Sequence, residues 1–222
     1  AQKNDAAALV AIHRRESTQS YNVAVRLAAP PPTGAAAAPL VVLTPRTGWW
    51  ESTAERAGGL VAWLAGVSAA ALLREQKQLR RDVHAFATCG HELGHLGLTT
   101  LLAAEAHLLR GAHCWLHLGA NLGCASNLAM FLRASDPADA EHMRELLLAE
   151  GYPAEFIRVE PISAVSGEGR DVTEHGGKVL SMAGNNGHFH AASDRWPGNV
   201  NAAGIASIAR AVGNWIARSA GQ

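Results

Sequence analysis

The chain has 222 residues, of which 48% are hydrophobic and 17% are charged. This composition is typical of a globular protein that can bury a sizeable core, and it excludes a disordered chain. Lys and Arg together number 19, and so do Asp and Glu. The zero balance argues against a protein that binds nucleic acid or an anionic membrane, because phosphate neutralisation requires surplus cations.

The length predicts a single domain over 1–222. No uninterrupted apolar run reaches about 18 residues, so we expect no transmembrane segment. The chain opens with AQKND, without an initiator Met or an apolar leader. We therefore expect a processed chain, or one that lacks an upstream segment. Eleven histidines make a metal site worth seeking, since histidine is the commonest metal ligand.

Predicted strands and helices alternate along the chain, on the basis of apolar periodicity and of Gly and Pro positions. In chain order, the predicted elements are a helix over 5–15, strands over 21–27 and 40–44, a helix from 53 to about 74, a strand over 82–89, a helix over 98–110, strands over 113–118 and 128–134, a helix over 137–150, strands over 155–162 and 178–184, and a helix over 201–219.

Two of these helices have recognisable start signals. Ser52 and Glu55 match the capping box, in which a hydroxyl caps the helix and the Glu three residues later reaches back to it. Asp136 followed by Pro137 marks the start of the helix over 137–150. The capping box alone explains Glu55 as well as a functional role does.

The alternation predicts an α/β fold with three layers, α/β/α, around a mostly parallel sheet, because most predicted strands are continuous apolar runs. In such sheets, ligands bind beyond the carboxyl ends of the strands. We therefore expect the functional site among the loops 45–52, 89–97, 119–126 and 185–197.

The segment HELGH at 91–95 matches the HExxH pattern. On a helix, this pattern would place His91 and His95 on one face as zinc ligands, with Glu92 activating a water. A strand leads directly into the motif, however, and its glycines disfavour a helix. A zincin-type metalloprotease is one alternative, and it requires a helix through 89–97.

The order of segments resembles the zinc-dependent exopeptidase family, which includes bacterial zinc aminopeptidases and glutaminyl cyclases. The similarity lies in a strand that leads into TCGHELGHLGL and in a late FHAASDRWP before a closing helix. It covers roughly Asn22 to the C-terminus. The resemblance implies a mostly parallel sheet between helices and an aminopeptidase-like hydrolase.

The resemblance also implies a metal site. Gly-His-Glu stands where the family has Gly-Glu-Glu, so Glu92 matches a zinc ligand and His91 replaces the general base. Glu55, in ERAGG, matches the Asp that bridges two zinc ions at the start of a long helix. FHAASD keeps the His–Asp spacing of the family's late motif, so His190 matches another ligand.

Two of the family's usual ligands are missing. The His-x-Asp pair expected in TPRTGW is absent, and so is the Asp expected near Gly119 or Ala120. The resemblance thus implies a divergent member with an incomplete ligand set. We expect one zinc ion, with two zinc ions or a metal-free site as alternatives. The candidate ligands are Glu55, Glu92, His190, His91, His95 and His117. For His95 and His117, packing against the sheet or in the core is the favoured explanation, and a ligand role is the alternative.

Aromatic and basic residues near the expected ligand edge predict a substrate pocket. Trp49 and Trp50 are adjacent, so both cannot face the core of an extended run, and one is expected to contact an apolar or aromatic substrate group. Trp196 is either a pocket wall or an anchor for the last helix. Arg46 is a candidate for binding a carboxylate.

The leading hypothesis is a zinc metallohydrolase that acts on a peptide or small amide substrate, with His91 and Glu92 as catalytic candidates. A zinc ion would polarise the carbonyl and lower the pKa of its bound water. A non-catalytic binding domain on a degenerate peptidase fold is the second hypothesis, favoured by the absence of acidic residues in 44–50 and 117–123. The HExxH zincin is the third.

Overall fold

A computed structural model describes residues 16–31 and 36–221 of the chain. The strands are β1 (Val23–Leu27), β2 (Leu40–Pro45), β3 (Val83–Thr88), β4 (Cys114–Leu118), β5 (Met130–Ala134), β6 (Ile157–Glu160) and β7 (Val179–Gly184). They form one sheet in the order β1-β3-β2-β4-β7-β5-β6. β1 runs antiparallel to β3 and β5 antiparallel to β7, and the other neighbouring pairs are parallel.

The helices cover both faces of this sheet. They are α1 (Thr53–Glu75), α2 (Leu96–Ala104), α3 (Ala106–Gly111), α4 (Pro137–Ala149), α5 (Gly167–Glu174) and α6 (Ala202–Gly221). One core cluster joins α1, α4 and α6 to the face of β2 that carries Val42. A second cluster joins α2, α3 and α5 to the opposite face, which carries Val41 and Leu43. The predicted three-layer α/β/α architecture with a mostly parallel sheet is therefore confirmed.

The described elements differ from the predicted ones at two helices. The predicted helix over 98–110 is interrupted at Glu105, which separates α2 from α3. α5 was not predicted, because its sequence GEGRDVTE offers one aliphatic residue, Val172, and no apolar periodicity. The helix predicted over 5–15 lies outside the described residues.

The capping box predicted at Ser52 does not form. Ser52 has a left-handed φ of 46° and its side chain makes no capping hydrogen bond. Asp194, which lies 140 residues beyond Ala54, instead accepts hydrogen bonds from the backbone N–H groups of Ala54 and Glu55. The predicted cap at Asp136 is confirmed, since its carboxylate accepts from the N–H of Ala138.

Helix α1 is, by length and composition alone, the one helix among the described residues that matches a membrane span. It also packs along α6 and against the sheet, and it buries Ala62, Trp63 and Ala70 in doing so. Because part of its apolar surface serves this packing, α1 is not a clear membrane span.

Candidate metal centre

Three side chains of ligand type meet beyond the carboxyl ends of the central strands. Glu55 lies in the first turn of α1, Glu92 lies in a 3₁₀ turn (His91–Leu93) just after β3, and His190 lies in the loop after β7. One ligand atom from each lies within 4.8 Å of the other two. We call these three residues the ligand group, and they stand at the sheet edge where a parallel α/β fold places its ligands.

Asp194 joins two segments of the ligand group. Its fully buried carboxylate accepts from the N–H groups of Ala54 at 3.0 Å and Glu55 at 2.9 Å. It also accepts from the side-chain amides of Asn186 and Asn199. A carboxylate at a helix N-terminus satisfies free N–H groups and interacts favourably with the helix dipole. The loop of His190 is thereby attached to the helix turn of Glu55.

The attachment places His190 beside Glu55, with 3.5 Å between His190 Nε2 and Glu55 Oε1. The His190 ring stacks on Phe189, with centroids 3.8 Å apart. His190 is 43% exposed whereas Glu55 is fully buried. The site therefore has a buried side formed by α1 and an accessible side formed by the loop after β7.

Glu92 is positioned by a glycine turn rather than by a helix. The 3₁₀ turn lies between Gly90 and Gly94, whose φ angles of 66° and 79° are left-handed. His95 also has a left-handed φ, of 56°, and α2 begins only at Leu96. The HExxH arrangement needs both histidines on one face of a continuous helix, so the zincin alternative is wrong.

The carboxylate of Glu55 is buried without hydrogen-bond donors of acceptable geometry among the described residues. Burial raises its pKa, and the positive charge of Arg56 and the proximity of His190 offset this effect only in part. A buried carboxylate without donors is costly unless a cation compensates it. The Glu55 oxygens make an ion-pair contact with Arg56 but no hydrogen bond of acceptable geometry, and they lie beside a second carboxylate and an imidazole. Zinc accepts such oxygen and nitrogen donors, so the donor set fits one zinc ion.

Arg56 also reaches the ligand group. Its Nη2 lies 2.7 Å from Glu55 Oε1 and hydrogen-bonds Glu92 Oε1, while its Nε donates to the carbonyl of Thr47. The side chain is only 5% exposed. The guanidinium therefore lies between two of the three candidate ligands. Arg56 was not among the predicted site residues, because its position next to Glu55 in the sequence does not reveal which way its side chain turns.

The other candidate histidines are directed elsewhere. His91 Nδ1 lies 3.1 Å from Glu168 Oε1, His95 Nδ1 lies 2.6 Å from Asp171 Oδ2, and His117 Nδ1 lies 2.9 Å from Ser181 Oγ. Two of these partners lie on α5, which was not predicted, so the sequence analysis missed them. In the part of the chain that the structure describes, none of the three histidines joins the ligand group.

Glu168 is held as an anion beside His91. It is fully buried, and burial opposes its ionisation. Hydrogen bonds from His91 and from the hydroxyl of Thr88 outweigh this effect, so the pKa of Glu168 lies below its usual value. A carboxylate can only accept from Nδ1–H, so Glu168 fixes the orientation of the His91 ring and leaves its Nε2 directed away from Glu168.

His117 is expected to make the protein sensitive to acid. Burial lowers its pKa to about 4, and the nearby Glu168 charge offsets this only in part. Between about pH 6.5 and pH 4 the unfolded chain binds a proton at this residue that the folded chain does not. The free energy of unfolding should therefore fall by about 3 kcal/mol as the pH falls through this range.

Urea unfolding at a series of pH values tests this expectation. Replacing His117 with Asn, which can keep a hydrogen bond to Ser181, should make the stability of the protein less dependent on pH. Equal slopes for the two proteins between pH 4 and 6.5 would show that His117 is not the responsible group.

The predicted substrate-side residues lie on the surface around this edge. Trp49, Trp50 and Trp196 are each more than half exposed, so they flank an open surface and stay candidates for ligand contact. The Arg46 guanidinium donates to the carbonyl of Tyr21. It would have to leave this bond to bind the carboxylate of a substrate.

Comparison with known proteins identifies the fold. No protein-family model matches the chain, and no curated protein matches its sequence. LapB from Legionella pneumophila aligns with 83% of this chain and 52% of its own, at 14% identity and a TM-score of 0.65. BSAP, a zinc aminopeptidase from Bacillus subtilis, aligns with 85% of this chain and 48% of its own, at 12% identity and a TM-score of 0.64.

A third similar structure is nicastrin, the gamma-secretase component, which aligns with 83% of this chain and 40% of its own, at 11% identity and a TM-score of 0.66. The chain spans about half the length of LapB and BSAP. At these identities the likeness establishes the fold alone: the chain has the α/β fold that is also found in LapB, in the zinc aminopeptidase BSAP and in nicastrin. Fold does not by itself define function.

Proposed function

We propose that this chain is a metal-dependent hydrolase of peptide or amide bonds, with one zinc ion held by Glu55, Glu92 and His190. The observation that carries the proposal is the convergence of these side chains around a buried Glu55 carboxylate with no hydrogen-bond donor of acceptable geometry. Three protein ligands leave a fourth zinc position for water or substrate, as in catalytic zinc sites. The zinc aminopeptidase BSAP, which has the same fold, supports this assignment.

Each residue near the site has a proposed task. A bound zinc ion would polarise the scissile carbonyl and lower the pKa of a water molecule. His91, oriented by Glu168 through its Nδ1–H, would serve as the general base, with Nε2 as the proton acceptor. The exposed Trp49 and Trp50 contact apolar substrate groups at the open side. The substrate class is a peptide or a small amide, with no role for nucleic acid.

One observation favours a second candidate function, a binding domain without catalysis. The Arg56 guanidinium already pairs with both Glu55 and Glu92 and offsets part of their negative charge. A site in which an arginine of the chain compensates the carboxylates does not require a metal ion for its folded arrangement. The open surface with its exposed tryptophans would then bind a partner molecule without hydrolysing that partner.

Zinc titration of the tag-free protein tests the proposed function. The wild type is expected to bind about one zinc ion per chain and to hydrolyse members of an aminoacyl and dipeptidyl anilide panel. Glu92→Gln and His190→Ala should each weaken zinc binding by about 100-fold or more and abolish hydrolysis, since each removes a direct ligand.

His188→Ala is the matched control, because His188 lies two residues from His190 and its Nδ1 is paired with Ser193 Oγ. This variant should bind zinc like the wild type. A wild-type protein that takes up no zinc at about 100 μM free metal, far above the affinity of catalytic zinc sites, would refute the proposed function.

A further inference from the structure

The guanidinium of Arg56 contacts the same carboxylate oxygens that a metal ion in the ligand group would use. Its Nη2 lies 2.7 Å from Glu55 Oε1 and hydrogen-bonds Glu92 Oε1. The side chains of Arg56, Glu55 and Glu92 are 5%, 0% and 7% exposed, respectively. This is a buried ion triad, not a surface ion pair, so its charges are poorly screened by water.

We propose that Arg56 is an internal cation that competes with zinc for Glu55 and Glu92, so that metal loading requires its guanidinium to leave the ligand group. The inference rests on the proposed function and concerns the regulation of the same site. Arg56 lies directly after Glu55 in the first turn of α1. The competitor is therefore tethered beside the ligand and present in every copy of the chain.

Electrostatics makes the two cations mutually exclusive. The two carboxylates carry two negative charges, which a zinc ion would balance in full and a guanidinium balances by half. Both cations within about 3 Å of the same oxygens would repel strongly in a buried site. Arginine keeps its charge at all accessible pH values. It therefore cannot yield by losing a proton, as a lysine or histidine would, and it must move.

The surroundings of Arg56 permit such a movement. Its Nη1 is buried without a hydrogen-bond partner among the described residues, so the guanidinium is incompletely satisfied where it lies. Its Nε donates to the carbonyl of Thr47, in the loop that carries the exposed Trp49 and Trp50. A guanidinium that leaves the ligand group must also give up or re-form this bond to the loop.

Zinc affinity, measured by competition with a fluorescent chelator, tests the inference without any measurement of activity. Arg56→Met and Arg56→Gln are expected to bind zinc at least about ten-fold more tightly than the wild type, because the competing charge is gone. Arg46→Met is the matched control, since it removes a guanidinium at the same edge whose hydrogen bonds go to Ser20 and Tyr21. Its zinc affinity should equal that of the wild type.

Thermal melting gives a second readout. Without zinc, Arg56→Met should melt below the wild type, because two buried carboxylates lose their counter-ion. Added zinc should raise the melting temperature of Arg56→Met more than that of the wild type. The Arg56→Gln variant keeps a polar side chain that can donate a hydrogen bond. Its melting is measured in place of that of Arg56→Met if the Met variant does not fold.

The outcomes separate this inference from the proposed function. Zinc binding by the wild type with no gain in either Arg56 variant would overturn the inference and leave the proposed function standing. If the Arg56 variants bind zinc and the wild type does not, the inference is supported, and the proposal that the wild-type chain is a metallohydrolase is refuted. If neither wild type nor variants bind zinc, both are overturned.

Discussion

Replacing Asp194 with Ala is expected to lower the free energy of unfolding by about 3 kcal/mol. Its buried carboxylate caps α1 through Ala54 and Glu55, and it also accepts from Asn186 and Asn199. Loss of a helix cap costs about 1 kcal/mol, and hydrogen bonds to a buried charge contribute more than neutral ones. The variant also leaves several buried donors without a partner.

Urea unfolding measures the loss of stability in Asp194→Ala and compares it with the loss in Asp136→Ala, in which another helix loses its capping Asp. Asp136 is an exposed residue that caps α4 with one hydrogen bond, to Ala138. Its loss should cost about 1 kcal/mol. If the two variants lose the same stability, Asp194 is an ordinary cap and does not hold the loop of His190 to α1.

The Asp194 variant also bears on the candidate site. Glu55 and His190 approach each other because Asp194 ties their segments together. Asp194→Ala should therefore weaken zinc binding as well as folding, although Asp194 is not a member of the ligand group. Zinc affinity unchanged in the folded variant would show that the two segments are positioned by other contacts.

Gly58→Ala is expected to destabilise the protein by about 3 kcal/mol, although Ala normally favours a helix by about 1 kcal/mol over Gly. A Cβ on Gly58 would lie 1.6 Å from the carbonyl oxygen of Leu122. The obstacle is backbone, which cannot rotate away as a flexible side chain would, so the first turns of α1 must separate from the loop after β4.

Gly213→Ala in α6 is the matched control for Gly58→Ala. A Cβ there would meet its nearest atoms at 3.9 Å, an ordinary contact distance. This variant should gain about 0.5–1 kcal/mol from the lower entropy of its unfolded chain. The measurement is the midpoint of thermal or urea unfolding for both variants. A stable Gly58→Ala protein would contradict the close contact between α1 and the loop.

Much of the fold was predictable because it depends on local patterns. Continuous apolar runs such as 40–44 and 113–118 identify strands buried on both faces, and their alternation with helices favours parallel pairing. The predicted elements differ from the structure where apolar periodicity is weak. α5 has a polar sequence and is held by the buried Glu168 and Val172, so apolar periodicity did not reveal it.

Part of the candidate site was predictable for a related reason. Loops after parallel strands meet at one sheet edge, so Glu55, Glu92 and His190 were expected to lie near one another despite their separation in sequence. The resemblance to zinc-dependent exopeptidases singled them out among the acidic and histidine residues. Their roles as zinc ligands stay a prediction, and so do those of His91, His95 and His117.

The sequence by itself determined the layers of the fold and the edge where the ligand group stands, because periodicity and strand order act through near neighbours. Only the tertiary structure decided which charges meet there. Arg56 lies against Glu55 and Glu92, Glu168 orients His91, and Asp194 rather than Ser52 caps α1. Such pairings join residues up to 140 positions apart, and they depend on side-chain directions that no local pattern records.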